Sequence, residues 1–334
     1  MRPALALLLS FLAACGGGTN KHEVRIPKGA GGVGFLPLLV MEKYRLIEKN
    51  AAASGVANLT VRWMDLGGPA AMNDALLSSS ADFISAGPPA FLTLWDKTHG
   101  SANSMNVEGI AAMTSMPMYL NTNSEHLKKL DDITDRDKIA VTSIKVSIPA
   151  IIMQMYAKEK YGPAQAMRFD RFTVSMAHPD AVIALLSGSA GISAHFSSPP
   201  FHQREIKDPR IRTILNSDDV MGGSTTFTMI STTSKFRQEN PRIVGAVLKA
   251  LDEANHMIVA DKNMAADLLL TSEGGGLTRE EIVEVLNDPH VKFTTTPENL
   301  MKYAEFMAGE GSIKNHPASW KDLFFPEIHG APGS

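Results

Sequence analysis

The chain has 334 residues, 44% of them hydrophobic and 20% charged, with a single cysteine. Its 32 basic and 35 acidic side chains leave a formal charge of −3, which suits neither the basic face of a nucleic-acid binder nor the acidic block of a disordered tail. This is ordinary globular composition, long enough for two domains, and one cysteine allows no internal disulfide, so the core alone must hold the fold.

The first elements in chain order concern export. Met1-Arg2-Pro3, an apolar run from Ala4 to Leu12 and then Ala13-Ala14-Cys15 make a bacterial secretion signal over residues 1–14. The run is well short of the roughly 20 apolar residues that a permanent span requires. Leu12-Ala13-Ala14-Cys15 resembles the lipobox of bacterial lipoproteins, which makes Cys15 the expected lipidation site and a lipid anchor the only membrane contact. Plain secretion after Ala14 would leave Cys15 a free thiol, exposed to oxidation outside the cytoplasm. Losing Arg2 with the signal takes the charge from −3 to −4. Residues 15–22 open with Gly16-Gly17-Gly18 and read as a flexible tether.

The body alternates strands and helices. Val24-Arg25-Ile26 reads as a strand, followed by the glycine-rich turn Gly29 to Gly34 and a helix opened by Pro37 and running to Tyr44. Leu59 to Trp63 alternates as a strand does; Gly67-Gly68-Pro69 then launches a helix with Met72, Ala75 and Leu76 on one face. Asp82 to Ala86 is a third strand, closed by Gly87-Pro88-Pro89. This order predicts a right-handed parallel α/β unit. The grammar restarts with a strand at Lys138–Thr142 and a helix capped by Ser147 with Ile151, Ile152, Met155 and Tyr156 on one face. Strands follow at Phe172–Ser175 and Gly191–Phe196, with a helix from Pro179 to Leu186 between them, closed by Gly188. From Asn240 the chain turns helical: Pro241 starts one helix, Thr278-Arg279-Glu280-Glu281 is a capping box, and Thr296-Pro297 starts another helix.

These stretches carry a resemblance. Gly34-Phe35-Leu36-Pro37-Leu38-Leu39, Gly67-Gly68-Pro69-Ala70-Ala71-Met72 and Ala81-Asp82-Phe83-Ile84-Ser85-Ala86-Gly87, then Ile139-Ala140-Val141 and Asp180 to Gly188, stand in order across about Glu23 to Phe325. The chain resembles substrate-binding proteins of bacterial ABC importers, in the family for nitrate, sulfonates, taurine and the thiamine-precursor pyrimidine. The resemblance implies a type II periplasmic-binding-protein fold, with two α/β lobes joined by two crossovers and a ligand cleft between them. Lobe one would be residues 23–115 and 229–325, the second part helical; lobe two would be 116–228, and 326–334 a C-terminal tail. The crossings are expected near Ser115–Leu120 and Thr225–Ile230. The implied role is delivery of a small solute to an ABC permease in the inner membrane, by a monomer without cofactor or metal, lipid-anchored in the periplasm or cell envelope.

Ligands of α/β sheets sit beyond the carboxyl ends of the strands, where helix N-termini favour anionic or carbonyl-like groups. The candidate ligand-binding residues are therefore Gly34, Phe35, Gly67, Gly68, Pro69, Gly87, Pro88, Ser115, Ser143, Lys145, Ser147, His195 and Phe196. Each has a plainer use. Gly67 and Gly68 can simply make a tight turn, Phe35 can be core, Ser143 and Ser147 can be caps, Ser115 can be a polar hinge residue, and His195 can be structural. His178 reads first as a helix start. Lys145 is the one obvious cation in these loops and suits a sulfonate, nitrate or carboxylate, whereas Phe35, Trp63, Phe91 and Phe196 would suit a flat heteroaromatic.

Enzyme motifs are missing. Gly188-Ser189-Ala190-Gly191 lacks one residue of a nucleophile elbow, no Walker A loop or His-Glu-x-x-His pair occurs, and Gly29 to Gly34 lacks the dinucleotide order. Fungal pyrimidine-synthesising enzymes that share the implied fold carry a cysteine-rich iron motif, which a chain with Cys15 alone cannot supply. No catalytic residue is expected.

Overall fold

A computed structural model describes residues 23–29, 31–66, 68–100, 105–188, 191–273 and 276–334. The expected export signal, the tether with Cys15, and Gly67 lie outside them. In chain order the first elements are β1 (Glu23–Pro27), α1 (Leu36–Lys43), α2 (Leu46–Ala53), β2 (Thr60–Met64), α3 (Gly68–Leu77), β3 (Ile84–Ala86), α4 (Pro88–Thr98) and β4 (Val107–Ser115). A second group follows: β5 (Tyr119–Thr122), β6 (Ile139–Val141), α5 (Ile148–Tyr161), β7 (Thr173–Ser175), α6 (His178–Ser187), β8 (Ala194–Ser197), α7 (Phe201–Ile206), β9 (Arg212–Asn216) and α8 (Ser217–Met221). The chain closes with β10 (Thr226–Thr233), α9 (Ser234–Glu239), α10 (Pro241–Ala260), α11 (Lys262–Glu273), α12 (Arg279–Asn287), β11 (Lys292–Phe293) and α13 (Leu300–Gly309).

Two sheets organise these elements. The first has the order β11-β4-β10-β3. The parallel β1–β2 ribbon joins its edge, because the Asp82 and Phe83 N–H groups donate to the Arg25 carbonyl at 3.0 and 3.3 Å. Arg25 also grips the Asp82 carboxylate with its Nε and Nη2 at 3.0 and 2.7 Å. The second sheet has the order β7-β6-β8-β5-β9, with β6 parallel to β7 and β8, and β5 antiparallel to its neighbours. The architecture is two α/β lobes, as the resemblance implied. The first lobe is mixed rather than parallel, since β10 runs antiparallel to both β3 and β4.

The chain leaves the first sheet after Ser115, enters the second at Tyr119, and returns through residues 217–225. The two passages are tied together: Met118 N–H donates to Ser217 Oγ at 2.8 Å, and Ser217 N–H donates to the Met118 carbonyl at 2.9 Å. The second crossing falls earlier than the sequence suggested, for Thr226–Ile230 already lie in β10. That strand is buried along its whole length although five of its eight residues are Thr or Ser. Their hydroxyls find partners inside. Thr228 Oγ1 donates to the Gly34 carbonyl at 2.7 Å, and Thr232 Oγ1 to the Asp82 carbonyl at 2.6 Å.

The helices follow local chemistry. α10 buries Ile243, Val244, Val247, Leu251, Ala254 and Ile258, a stripe at helical spacing. α12 begins with the expected capping box: Thr278 Oγ1 accepts from Glu281 N–H at 3.3 Å, and the Glu281 carboxylate accepts from Thr278 N–H at 2.7 Å. α6 ends at Gly188, whose φ of 66° needs no Cβ. Thr296-Pro297 does not start a helix. α13 begins at Leu300, after Asn299 in the left-handed region, because Glu298 N–H and C=O are engaged with Thr226.

Candidate ligand cleft

The helices that begin at strand ends meet between the lobes. α3 and α4 start from lobe one, α5 and α6 from lobe two, and their first turns border a half-open cavity of about 40 Å³. On the ~10–15 Å³ that one water site needs, this holds a few water-sized groups, so the lobes stand close together. Lobe one contributes Phe35, Pro69, Gly87, Ala90, Phe227 and Thr228 to the wall. Lobe two and the first crossing contribute Met118, Thr142, the Val146–Pro149 turn and His178. The lining is mainly apolar, and no lysine or arginine is in it.

Close approach across the cleft explains the glycines. A Cβ on Gly87 would lie 2.8 Å from Ile148 Cδ1, and one on Gly68 3.2 Å from the Thr142 carbonyl. Gly68 also has φ +74°, a conformation side chains rarely adopt. Val33 N–H donates across to the Pro199 carbonyl at 3.1 Å.

The nominated residues fall into groups. Phe35, Pro69, Gly87 and Ser147 border the cavity; Phe35 packs edge-on against Phe227 at 6.5 Å. Gly34 sits behind Phe35, its carbonyl held by Thr114 and Thr228 hydroxyls at 3.2 and 2.7 Å. Gly68 and Ser143 meet at the rim, where a Cβ on Gly68 would be 3.5 Å from Ser143 Oγ. Pro88 is buried in the first turn of α4, and Ser115 is buried at the end of β4. Lys145 is exposed, with φ 68°, and does not reach the cavity. Ser147 occupies the N-cap position of α5, but its hydroxyl donates back to the Ser143 carbonyl at 2.6 Å instead of accepting from the helix. Phe196 is core on β8, as Phe91 is on α4; Trp63 is half-buried on β2, and none of the three borders the cavity.

His195 is fully buried and belongs to a chain of polar side chains behind the lobe-two wall. His178, which does border the cavity, has its Nδ1 2.8 Å from His195 Nε2. His195 Nδ1 lies 2.5 Å from Glu205 Oε1, and Asn121 Nδ2 donates to Glu205 Oε2 at 2.7 Å. His202 adjoins Asn121 at 3.1 Å and stacks on Tyr119 with centroids 3.8 Å apart. Burial, followed by the charge of His195, pushes His178 well below the ordinary imidazole range. Burial likewise pushes His202 down to about 4 and the Tyr119 phenol up to about 12.

Glu205, Asn121, Phe227 and Thr228 escaped the sequence reading. α7 starts directly after Pro199-Pro200, as a proline just ahead of a helix permits. That signal would have put His202 and Glu205 three apart on one helix face.

Comparison with known proteins agrees with this architecture. No protein-family model and no curated protein matches the sequence. Among solved structures, the chain is similar to the alkanesulfonate-binding protein SsuA from Xanthomonas axonopodis pv. citri bound to MOPS: TM-score 0.66, 14% identity, 87% of this chain and 94% of that one covered. It is similar to the periplasmic nitrate-binding protein NrtA from Synechocystis PCC 6803, with TM-score 0.62, 14% identity, and 90% and 83% coverage. A Candida albicans protein described as having the generic periplasmic binding protein fold matches with TM-score 0.64, 13% identity, and 89% and 92% coverage. The fold is that of the periplasmic binding proteins, and the solved structures include the kinds of protein that the sequence resemblance named.

Proposed function

We propose that the chain is the solute-binding component of an ABC importer, exported and held at the cell envelope by a lipid on Cys15, and that its lobes close over a small organic solute. The observation that carries the reading is the cavity itself: a half-open space at the lobe interface, walled by both lobes, where the first turns of four helices meet. Helix N-termini favour a negative or acceptor head group. Proline limits that contribution, since Pro69, Pro88, Pro89, Pro149 and Pro179 remove N–H donors from those first turns. With few donors and no lining cation, a bare inorganic anion is poorly matched. A solute with an apolar body and one acceptor head, of the short alkanesulfonate type, fits the Phe35, Phe227, Met118 and Ile148 wall better. The two phenylalanines also favour a second reading, a small heteroaromatic of the pyrimidine type.

Catalysis has no place in this reading. Ser147 is committed to the Ser143 carbonyl. Ser198 Oγ approaches His178 Nε2 only to 3.5 Å, and it is buried without bordering the cavity. Among the described residues no helix is long and apolar enough to cross a membrane; the partners of this reading are a solute, a permease and the lipid anchor.

A thermal-shift screen of residues 16–334 against ethanesulfonate, taurine, nitrate and pyrimidine tests the proposal. A true ligand at a hundred times its dissociation constant adds about 2.7 kcal/mol, a rise of a few degrees in Tm. Ethanesulfonate or taurine should give the larger rise. A rise with pyrimidine alone selects the heteroaromatic reading, and no rise with any of them defeats both.

A further inference from the structure

The buried relay behind the cleft fixes what the cleft can recognise. Glu205 and His195 have no exposed surface, and among the described residues no lysine or arginine forms an ion pair or hydrogen bond with either of them. The groups around them are His178 on α6, Asn121 on β5, and His202 on the same helix as Glu205. Asp180, the acidic residue in the first turn of α6, is exposed. A carboxylate with no cationic partner in such a place is very costly, which favours the state in which Glu205 and His195 share one proton beyond the neutral-imidazole complement of His195 and are neutral as a pair.

That condition sets the direction of every hydrogen bond in the relay. If the shared proton sits on His195, Nδ1–H donates to the carboxylate and Nε2–H donates to His178 Nδ1. If it sits on Glu205, the carboxyl donates to His195 Nδ1, and His195 again carries its own proton on Nε2. In both cases His178 Nδ1 accepts at 2.8 Å, and neutral His178 must carry its proton on Nε2. That atom has only the long 3.5 Å approach of Ser198 Oγ, on a ring that borders the cavity. Only loss of the shared proton, which leaves a bare buried charge, would reverse the chain and turn His178 Nε2 into an acceptor.

We propose that His178 is a fixed Nε2–H donor in the cleft wall, oriented by the Glu205–His195 pair, and that it selects solutes whose head group is a hydrogen-bond acceptor. The assignment of the proton is independent of the ligand; the selection rests on the reading of the cavity as the solute site. His178 would be the specificity residue, and Glu205 and His195 positioning residues.

Nitrogen-15 NMR of histidine-labelled protein at pH 7 decides the assignment, with the His178 resonances identified by their loss in His178→Gln. The expected result is a neutral, Nε2-protonated His178. A predominantly Nδ1-protonated ring would overturn the proposal. Glu205→Gln should preserve the Nε2–H form, because the amide can donate to His195 while its oxygen accepts from Asn121; a switch to Nδ1–H in that variant would also overturn it. Selection is read with two probes of matched body, ethanesulfonate and ethylammonium. Ethanesulfonate should shift the His178 Nε2 resonance and lose tenfold or more in affinity in His178→Phe, with recovery in His178→Gln. Ethylammonium bound at His178 defeats the selection. If neither probe binds, the receptor reading fails for such solutes, and the tautomer alone decides the assignment.

Discussion

The two walls of the cleft are built differently. Lobe one presents backbone and rings: Gly87 and Ala90 at the start of α4, Pro69, and Phe35 against Phe227. Its polar groups near the cavity are spent on architecture, as when the Thr114 and Thr228 hydroxyls lie 2.6 Å apart and both reach the Gly34 carbonyl. Lobe two presents a histidine backed by a buried glutamate, an asparagine and two further histidines. One wall therefore supplies shape and the other chemistry. On the proposed function a solute has to satisfy both, which a closed cleft allows.

The largest expected effect comes from opening the lobe-two network. Glu205→Ala leaves His195 and Asn121 without their shared partner in a site with no exposed surface. Breaking a buried pair in this way costs about 3–5 kcal/mol, and urea unfolding should record a loss of that size. A loss below about 1 kcal/mol would mean that the relay is wet and the contrast between the walls is overstated.

Acid should separate the lobes next. His178 and His202 both titrate below their ordinary value in the folded state. Between the folded and unfolded pKa values the unfolded chain binds more protons, so stability is complete above about 6.5 and falls as pH drops through that window. For His202 the gap from 6.5 to about 4 corresponds to about 3–4 kcal/mol at ~1.4 kcal/mol per pH unit. Hydrogen exchange at pH 7 and pH 5 should show lobe-two amides losing protection first. His202→Asn should flatten the dependence; equal loss in both lobes would place the acid lability elsewhere.

A third substitution tests the lobe-one wall. Gly87→Val places a side chain where even a Cβ would be 2.8 Å from Ile148 Cδ1 and 3.2 Å from the Phe227 carbonyl. Its backbone, with φ −75° and ψ 161°, suits valine; the tighter contact, with Ile148, lies across the cleft and the looser one, with Phe227, within lobe one, so the larger part of the clash falls on lobe closure. Overpacking of about 1–3 kcal/mol charged to the closed form would weaken solute binding roughly five- to 150-fold, measurable by titration calorimetry. Unchanged affinity would show that the bound form is more open than this one.

How much of this was legible depends on where the signal lay. Strands with a regular pattern, such as Thr60–Met64, and helices with caps, such as the one after Thr278, could be read directly. The centre of lobe one could not. Val107–Ser115 is buried at nearly every position and full of Ala, Gly, Thr and Ser, and Thr226–Thr233 is mostly hydroxyl residues. A strand buried on both faces loses its alternation, and Thr or Ser inside one looks like a linker until its hydrogen bonds are seen. At the site, turns with glycine or proline announced Phe35, Pro69, Gly87 and Ser147. Charge in a loop carries no direction, and Lys145, with φ 68°, stands in solvent away from the cavity. The relay was hidden for a related reason: His178, His195 and Glu205 lie on three elements that only the sheet order brings together.

The smallest expected effect lies at the rim. Lys158 on α5 reaches Glu310, just past α13, at 2.6 Å, one of the ion pairs that cross from lobe two to lobe one. Its charge is partly exposed and screened, so Lys158→Ala should change unfolding stability by only ~0–1 kcal/mol. Closure is a different equilibrium, and the pair spans the lobes. Small-angle scattering of the solute-free protein should therefore show a slightly larger radius of gyration in the variant than in the parent, with the difference vanishing in 0.5–1 M salt, where the screening length is only ~3–4 Å. A stability loss well above 1 kcal/mol with no change in radius would make the pair part of the fold. The predicted pattern, a change in closure without a change in folding, would assign it to the closed state, to which the cavity also belongs.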